Sequence, residues 1–441
     1  MMNERDKLQQ ALTQVLDMYQ PQRVILAVSG GLDSTLLAQV FHDLKWPGTV
    51  CMVYINHGLS PNTLYWQQQV AALATTLEFE FLAIPVTVPE TVGRGVEAAA
   101  RQARYAALAQ CLQAGDCCFT AHHADDQAET VLLQVCRGAG PQGLRAMPTA
   151  RPLGQGVLVR PWLGFARAQL LRVAEYMQLA HVDDESNHDT RYSRNYLRHD
   201  IIPALQQHWP GLLRSCAQVA AANQLACAAS DFLLQPHLEQ CVSEQKLLLS
   251  PLLALPQSVQ YLIVRAWLSA QSLATPPTRQ VMTWLTQLRD APIDKQPKLQ
   301  ITADSSLQRF QGAVYVVPDW PNDMLQQWRA PWNGLGRLDL PAGLGYLMRV
   351  DSCAESLPWD RVTVGFRQGG EQFKPEGSSH TLALKKWFQA RAVPPWLRAV
   401  TPLLFQGDEL VGVIGMAFAT AFRQRYACQV TAVKLVAYPP I

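Results

Sequence analysis

The sequence predicts an α/β chain in three parts: an N-terminal domain built on a parallel sheet, a helical middle domain and a small α+β C-terminal domain. Three observations carry this. Between Gln22 and about Leu205, short apolar runs alternate with helical segments. From Pro210 to about Leu288 the chain is rich in Leu, Ala and Gln at helical spacing, with few strand signals. From Arg361 to Tyr438, strand-like runs frame one helical segment. The boundaries read from these shifts are residues 1–209 for the first domain, 210–310 for the helical one, 311–355 for a connecting segment and 356–441 for the last domain.

The elements follow in order. Residues 23–28 end in five consecutive apolar side chains, as expected of a strand buried on both faces. Residues 49–56, 79–86 and 117–121 read the same way, and helical stretches begin near Ser34, Asn62, Gly95 and Asp125. Such alternation makes a parallel sheet with helices on both faces. Ligands then sit at the carboxyl ends of the strands, where Ser29, His57 and His122 fall. Residues 289–355 mix Pro, Gly and Trp with strand-like pieces such as 312–317, which suits connecting strands and turns. In the last part, residues 362–366, 410–414 and 429–436 are expected strands and 381–390 a helix.

Composition excludes more than it identifies. Lys plus Arg (37) nearly cancel Asp plus Glu (35), leaving a formal charge of +2, so any nucleic-acid surface must be a local concentration of basic residues. The ten cysteines include no C-x-x-C pair and read as reduced core residues of a cytosolic protein. The polar, amphipathic N-terminus lacks an apolar signal core, and no run of about 18 apolar residues is present, so a cytoplasmic location is expected.

The most constraining segment is Ser29-Gly-Gly-Leu-Asp-Ser34, between the first strand and the helix that follows. Paired glycines let backbone N–H groups approach an anion closely, and the helix directs its positive dipole end at the same point. Ser29 and Ser34 add hydroxyls, and Asp33 is placed to hold a divalent cation against phosphates. The segment matches neither G-x-x-x-x-G-K-[ST] nor G-x-G-x-x-G. A second block, Thr120-Ala-His-His-Ala-Asp-Asp-Gln-Ala-Glu-Thr130, follows the fourth strand and opens a helix. Asp126 and Glu129 are three apart and share a helix face, where paired carboxylates can bind a cation, orient an amine or accept its proton. Glu97, Arg101 and Arg104 fall on neighbouring turns of the preceding helix, and the two arginines suit a phosphate or an oxyanion. Asp183-Asp-Glu-Ser-Asn187 is followed by Arg191, Arg194 and Arg198, an acidic loop beside a basic helix. Near the C-terminus, Arg361, Arg367, Lys374, Lys385, Lys386, Arg391 and Arg398 are interleaved with Trp387 and Trp396, a pattern suited to phosphate contact and base stacking.

The hexapeptide at 29–34 resembles the PP-loop of the N-type ATP pyrophosphatases. The full set of blocks resembles one family, tRNA(Ile)-lysidine synthetase. The resemblance rests on Ser29–Ser34, Glu97 with Ala100-Arg-Gln-Ala-Arg-Tyr105, His122–Thr130, Arg137-Gly-Ala-Gly140, Arg160-Pro161, and Asp184–Asn187 with Arg194, Asn195 and Arg198. It continues through Gly369-Gly370-Glu371, Leu384-Lys-Lys-Trp-Phe388, Val393-Pro-Pro-Trp-Leu-Arg398 and Pro402-Leu-Leu404, which look like the C-terminal domain of the long form. The resemblance implies a Rossmann-like PP-loop ATPase fold for the first domain. It also implies ATP and Mg2+ as cofactors, with tRNA(Ile) bearing a CAU anticodon and free L-lysine as partners, and a homodimer is carried as an assembly to test. The implied reaction adenylates C2–O of the wobble cytidine with loss of pyrophosphate, after which the ε-amine of lysine displaces AMP. Decoding then changes from AUG to AUA.

By the same resemblance, Ser29, Gly30, Gly31, Leu32, Asp33 and Ser34 bind ATP, with Asp33 as metal ligand. Asp126 and Glu129 are the catalytic and lysine-handling carboxylates, one or both of Arg101 and Arg104 act on the phosphate or the adenylated intermediate, and Lys385, Lys386, Arg391 and Arg398 bind RNA. The alternatives are another PP-loop tRNA-modifying enzyme such as a thiolase, an amidating synthetase of the NAD, GMP or argininosuccinate type, or an ATP- and RNA-binding module without turnover. A thiolase needs catalytic cysteines, yet Cys117 and Cys118 lie in an expected strand and Cys136 is alone.

Overall fold

The computed structural model describes residues 3–58, 60, 62–88, 95–182, 189–292, 295–333, 337–349, 362–425 and 433–436. Two compact units divide the chain, Met1–Phe232 and Leu233–Ile441.

In the first unit, α1 (Glu4–Tyr19) presents Leu8, Leu12 and Leu16 at four-residue spacing to the core. The chain then alternates β1 (Arg23–Ala27), α2 (Leu32–Asp43), β2 (Thr49–Asn56), α3 (Thr63–Thr76), β3 (Glu80–Pro85), α4 (Gly95–Cys111), β4 (Cys117–Phe119) and α5 (Ala124–Cys136). After α6 (Pro141–Leu144) come β5 (Ala150–Leu153), β6 (Gly156–Val159) and α7 (Arg167–Tyr176). The sheet order is β3-β2-β1-β4-β6-β5, with β5 antiparallel at the edge and the other pairs parallel.

Side-chain alternation explains why β1 is central. Val24 and Leu26 pack with Leu36, Leu37, Phe41, Met52 and Phe119 on one face, under α1, α2, α3 and α7. Ile25 and Ala27 pack with Cys51, Val53, Cys118 and Leu158 on the other, under Ala107 and Leu108 of α4 and Leu112 just beyond it. Each large side chain so buried is worth roughly 1.5–3 kcal/mol, and a one-residue slip would exchange the two faces. Because α4 crosses to the opposite face and its chain returns beside β1, the order reverses between β1 and β4. That reversal opens a crevice at their carboxyl ends.

The unit continues with α8 (Ser193–Tyr196), a π-helical turn (Leu197–Ile201) and α9 (Ile202–His208) in one unbroken helical run, followed by the start of α10 (Leu212–Cys241). Leu197 and Ile202 bury against Ala128 and Val131 of α5 and against Cys216 and Ala220 of α10. Gln127 fixes α5 from its other side, exchanging two hydrogen bonds with the backbone of Met147 at 2.9 and 3.0 Å.

The second unit includes helices α11 (Leu249–Leu253), α12 (Gln257–Ala270) and α13 (Thr278–Asp290), of which Trp267 and Trp284 are core residues. Short strands at Val242–Ser243, Lys246–Leu248, Leu299–Thr302, Ser305–Phe310 and Ala313–Pro318 form an antiparallel sheet that shares this core. Beyond it, a second antiparallel sheet that includes Val362–Gly365, Leu403–Gln406 and Glu409–Val413 packs on the helices Leu384–Ala390 and Pro395–Val400. Here the expected stacking surface is corrected. Trp387 is 1% exposed and Trp396 9% exposed, because the apolar area of indole outweighs the basic residues flanking it. Trp387 instead packs edge-on with Phe373, and Trp396 lies against Phe310 and Tyr315.

Candidate active site

The turn after β1 is shaped by its own small residues. Gly30 has φ +88°, which favours glycine, and a Cβ there would lie a tight 3.2 Å from Cγ2 of Val70. Gly31 is the N-cap of α2 and Leu32 its first residue. The Ser34 hydroxyl donates to the Gly31 carbonyl at 3.0 Å and accepts from the Ser29 N–H at 3.1 Å, while the two serine hydroxyls are 3.2 Å apart. Thr35 Oγ1 donates to the Gly30 carbonyl, and the Val182 N–H donates to it from across the loop. With its carbonyls so occupied, the turn leaves the first amides of α2 directed at the crevice with no side-chain cap, the arrangement that binds phosphate.

Asp33 links this turn to the second block. Its Oδ2 lies 3.6 Å from His123 Nε2 and 3.8 Å from Arg167 Nε, whereas Oδ1 is buried without a hydrogen-bond partner. A buried carboxylate oxygen with nothing to bond fits one ligand of a hard divalent cation such as Mg2+, whose remaining positions phosphate oxygens and water can fill.

The second block opens α5, and its N-cap is His123. The His123 N–H donates to Asp126 Oδ2 at 3.0 Å, and the ring stands 3.4–3.6 Å from Asp33, Asp125 and Asp126. Burial opposes charge on this ring, but Asp126 and then the hydrogen bonds of Asp125 and Asp33 overcome it and raise its pKa to about 10. His123 is thus an imidazolium joining three carboxylates. His122, also buried, is held well below its ordinary pKa by desolvation, with Asp126 opposing and Arg160, Arg104 and Arg194 adding to the shift. Its Nδ1 lies 2.8 Å from Thr120 Oγ1.

Asp126 and Glu129 share a face of α5, as their spacing requires, and that face meets two arginines. Arg194 reaches Asp126 at 2.9 Å and Glu129 at 2.5 Å. Arg198 reaches Asp126 at 3.0 Å and Glu129 at 2.6 Å. Burial alone would raise the Asp126 pKa, but the charges of His123, Arg194, His122 and Arg198 bring it far below the usual carboxylate range.

Around this grid lies a second group of cations. Arg101 extends from α4 with its guanidinium 3.4 Å from the Tyr105 hydroxyl. Burial and then the charges of Arg194, Arg104 and Arg160 lower its pKa, against a raising contribution from Tyr105. Arg104 lies close enough to depress His57 at the end of β2, where burial is the larger cause. Arg160, buried at the end of β6, donates to the Pro148 carbonyl at 2.7 Å and leaves Nε without a partner; His57 Nδ1 is likewise buried and unpartnered. Buried donors and acceptors without a protein partner are satisfied by water or by a polar ligand.

The structure therefore joins the turn at 29–34 to Asp126 through Asp33 and His123, and brings Arg104 within electrostatic range of His122 and Arg101 within range of Arg194. Glu97 lies on α4 with its side chain outside the described residues, as do residues 183–188 and Arg361. In the second unit, Lys385, Lys386 and Arg391 are exposed; Arg391 stacks over Trp387 at 4.1 Å, and half-buried Arg398 donates Nε to the Val393 carbonyl at 2.7 Å. Sequence reading missed the pairing of Arg194 and Arg198 with Asp126 and Glu129, and the roles of His123, His57 and Arg160. The only prior signal for the pairing was matched spacing, acids three apart and arginines four apart.

Comparison with known proteins agrees with the geometry. Residues 4–205 match the PP-loop domain family, 247–315 the TilS substrate binding domain and 362–433 the TilS substrate C-terminal domain. The chain is 34% identical over 409 residues to the tRNA(Ile)-lysidine synthase of Coxiella burnetii, covering 91% of this chain and 90% of that one. It is 35% identical to the Vibrio vulnificus (strain CMCP6) enzyme of the same name, covering 93% and 96%, and 36% identical to that of Alkalilimnicola ehrlichii, covering 91% and 91%. A glycine turn at the end of the first strand, a carboxylate pair linked to it and likeness along nine-tenths of the chain lead to one conclusion: this protein belongs to the tRNA(Ile)-lysidine synthase family.

Proposed function

We propose that the chain uses ATP to activate the wobble cytidine of a CAU-anticodon tRNA(Ile) and joins free lysine to its C2, giving lysidine. The observation that carries this is the union of a phosphate turn and a carboxylate pair through Asp33 and His123, at adjacent strand ends. In the first step the C2 oxygen attacks the α-phosphorus and pyrophosphate departs. The amides of Gly31 and Leu32 and the Ser29 and Ser34 hydroxyls hold the phosphates, and Asp33 Oδ1 would hold Mg2+, which supplies charge neutralisation when bound. Arg101 or Arg104, or both, meets the charge on the transferred phosphate.

In the second step the ε-amine attacks C2, the C2–O bond breaks, and AMP leaves. Free lysine, with a pKa near 10.4, is neutral in only about one molecule in 2,500 at pH 7, equivalent to roughly 4.6 kcal/mol against attack. Asp126 and Glu129 provide the anionic surface that gathers the ammonium ion. Either Asp126 or Glu129 is the candidate acceptor of its proton.

Lys385, Lys386, Arg391 and Arg398 are proposed to hold the RNA backbone, in a C-terminal domain of residues 356–441 joined to the catalytic domain of residues 1–209 by the middle and connecting segments. The reaction belongs in the cytoplasm, and among the described residues no helix is long and apolar enough to cross a membrane. Assembly as a homodimer is part of the proposal and is checked by light scattering. A thiolase reading is disfavoured because burial pushes Cys117 and Cys118 up to about 11 and about 12, leaving both thiols inert.

The test is to incubate the protein with ATP, CAU-anticodon tRNA and each amino acid in turn, followed by mass analysis of the wobble nucleoside. The proposal expects a lysine adduct with lysine alone. An adduct with another amino acid, or modification of a different base, would refute it.

A further inference from the structure

The carboxylates assigned to the incoming ammonium ion are already engaged. Asp126 and Glu129 between them accept five hydrogen bonds from Arg194 and Arg198, at 2.5–3.2 Å. Glu129 is fully buried, so no ammonium can reach it while both guanidinium groups stay in place. The arginines sit on one helical run, and between its α-helical parts lies the π-helical turn Leu197–Ile201, which contains Arg198 but not Arg194. A π turn accommodates one residue more than an α turn and is frequently found at functional sites. Relaxing it to α-helix shifts the register by one residue, a rotation of about 100° between the segments on either side. Arg194 and Arg198 can then no longer face the same carboxylate pair.

We propose that Arg194 and Arg198 are internal stand-ins for the substrate's ammonium ion: they occupy the Asp126–Glu129 cation site until the amine arrives, and the π turn is the hinge by which they withdraw. This rests on the reading that Asp126 and Glu129 receive the lysine amine, and it adds two specificity-determining residues. The arrangement keeps two buried carboxylates paired when no amine is present, as burial demands. It also makes the site selective, since only a cation that bonds both carboxylates can replace both guanidinium groups. No covalent step is involved; the exchange is of one set of N–H donors for another.

The test uses the full-length chain and separates the two half-reactions. Pyrophosphate release is followed with ATP and CAU-anticodon tRNA alone, and AMP release is then followed over a range of lysine concentrations. With Arg198→Gln, one internal competitor is removed, and the lysine KM for AMP release is expected to fall about tenfold, a change of about 1.4 kcal/mol. Guanidinium ion should inhibit this variant at concentrations that leave the wild type unaffected. An unchanged or raised lysine KM, with pyrophosphate release intact, would overturn the proposal. Should Arg198→Gln fold poorly, the wild-type protein labelled with 15N-arginine answers the same question. The guanidinium Nε–H resonances of Arg194 and Arg198, assigned with Arg194→Lys and Arg198→Lys, should move on saturation with lysine, and resonances that stay in place would overturn it. If the wild type releases no pyrophosphate with ATP and tRNA, the adenylation reading fails instead.

Discussion

Replacing Glu129 with glutamine probes the buried grid where its geometry is tightest. The wild-type carboxylate accepts from Arg194 Nε at 2.5 Å and from Arg198 Nε and Nη2 at 2.6 and 3.2 Å, with no exposure to solvent. An amide offers one oxygen and an NH2 group that only donates, so at least one guanidinium N–H faces another donor and two half-buried cations lose a counter-charge. A charge-assisted hydrogen bond is worth about 1.5–3 kcal/mol, and breaking a buried pair from one side costs about 3–5 kcal/mol. For a unit of this size each kcal/mol lowers Tm by about 2–4 °C, so Glu129→Gln should melt roughly 6–20 °C lower. Scanning calorimetry of the full-length chain reads this directly, with Glu175→Gln on the exposed side of α7 as the control. Surface changes stay within about 0.5 kcal/mol, so the control should shift by no more than about 2 °C. A Glu129→Gln transition as close to wild type as the control would show that the grid is not the buried ion network described here.

Other expectations are equally specific. Gly30→Ala places a Cβ 3.2 Å from Val70 in a left-handed conformation, which costs about 1–2 kcal/mol; ATP binding measured by calorimetry should weaken about tenfold, and unchanged affinity would contradict the role of the turn. His123 has its pKa raised from an ordinary 6.5 to about 10, so its stabilisation is complete below pH 6.5 and is lost as pH rises through 10. Replacing His123 with glutamine should flatten that alkaline decline in denaturation midpoint, and an undiminished decline would remove His123 as its cause. Lys385→Gln, Lys386→Gln and Arg391→Gln should each lower the salt slope of tRNA binding by about one with little change in Tm. Arg398→Ala, by contrast, breaks the bond to the Val393 carbonyl and should lower Tm as well as affinity.

The sheet was legible in sequence because burial on both faces demands unbroken apolar strands. Four of its six strands were read, residues 49–56 as they fold and the others with limits within two residues, whereas Ala150–Leu153 and Gly156–Val159 were missed as pieces of four residues each. The turn at 29–34 was legible because its paired glycines fall between an apolar strand and a helical pattern, and Gly30 has the left-handed conformation that favours glycine. The spacing of Asp126 and Glu129 showed that they share a helix face, but not what faces them. Arg194 and Arg198 lie 65 to 72 positions further along the chain, and no local pattern joins residues so far apart. The helix cap at His123 is local, pairing it with Asp126 three residues on, but its approach to Asp33 from another strand end leaves no local pattern. Trp387 and Trp396 misled because basic neighbours in sequence do not reveal which side of a short helix is buried. The strands that share a core with α12 and α13 were only partly visible, since pieces of three to six residues carry too little periodicity to stand out.

The central claim is that the turn at 29–34 and the Asp126–Glu129 pair serve one reaction in two steps. Supplying ATP labelled at the α-phosphate together with CAU-anticodon tRNA, first without lysine and then with it, tests this most directly. The account predicts that label enters the tRNA in the absence of lysine and leaves as AMP when lysine is added. Label that never enters the tRNA, or that remains there after lysine is supplied, would contradict it.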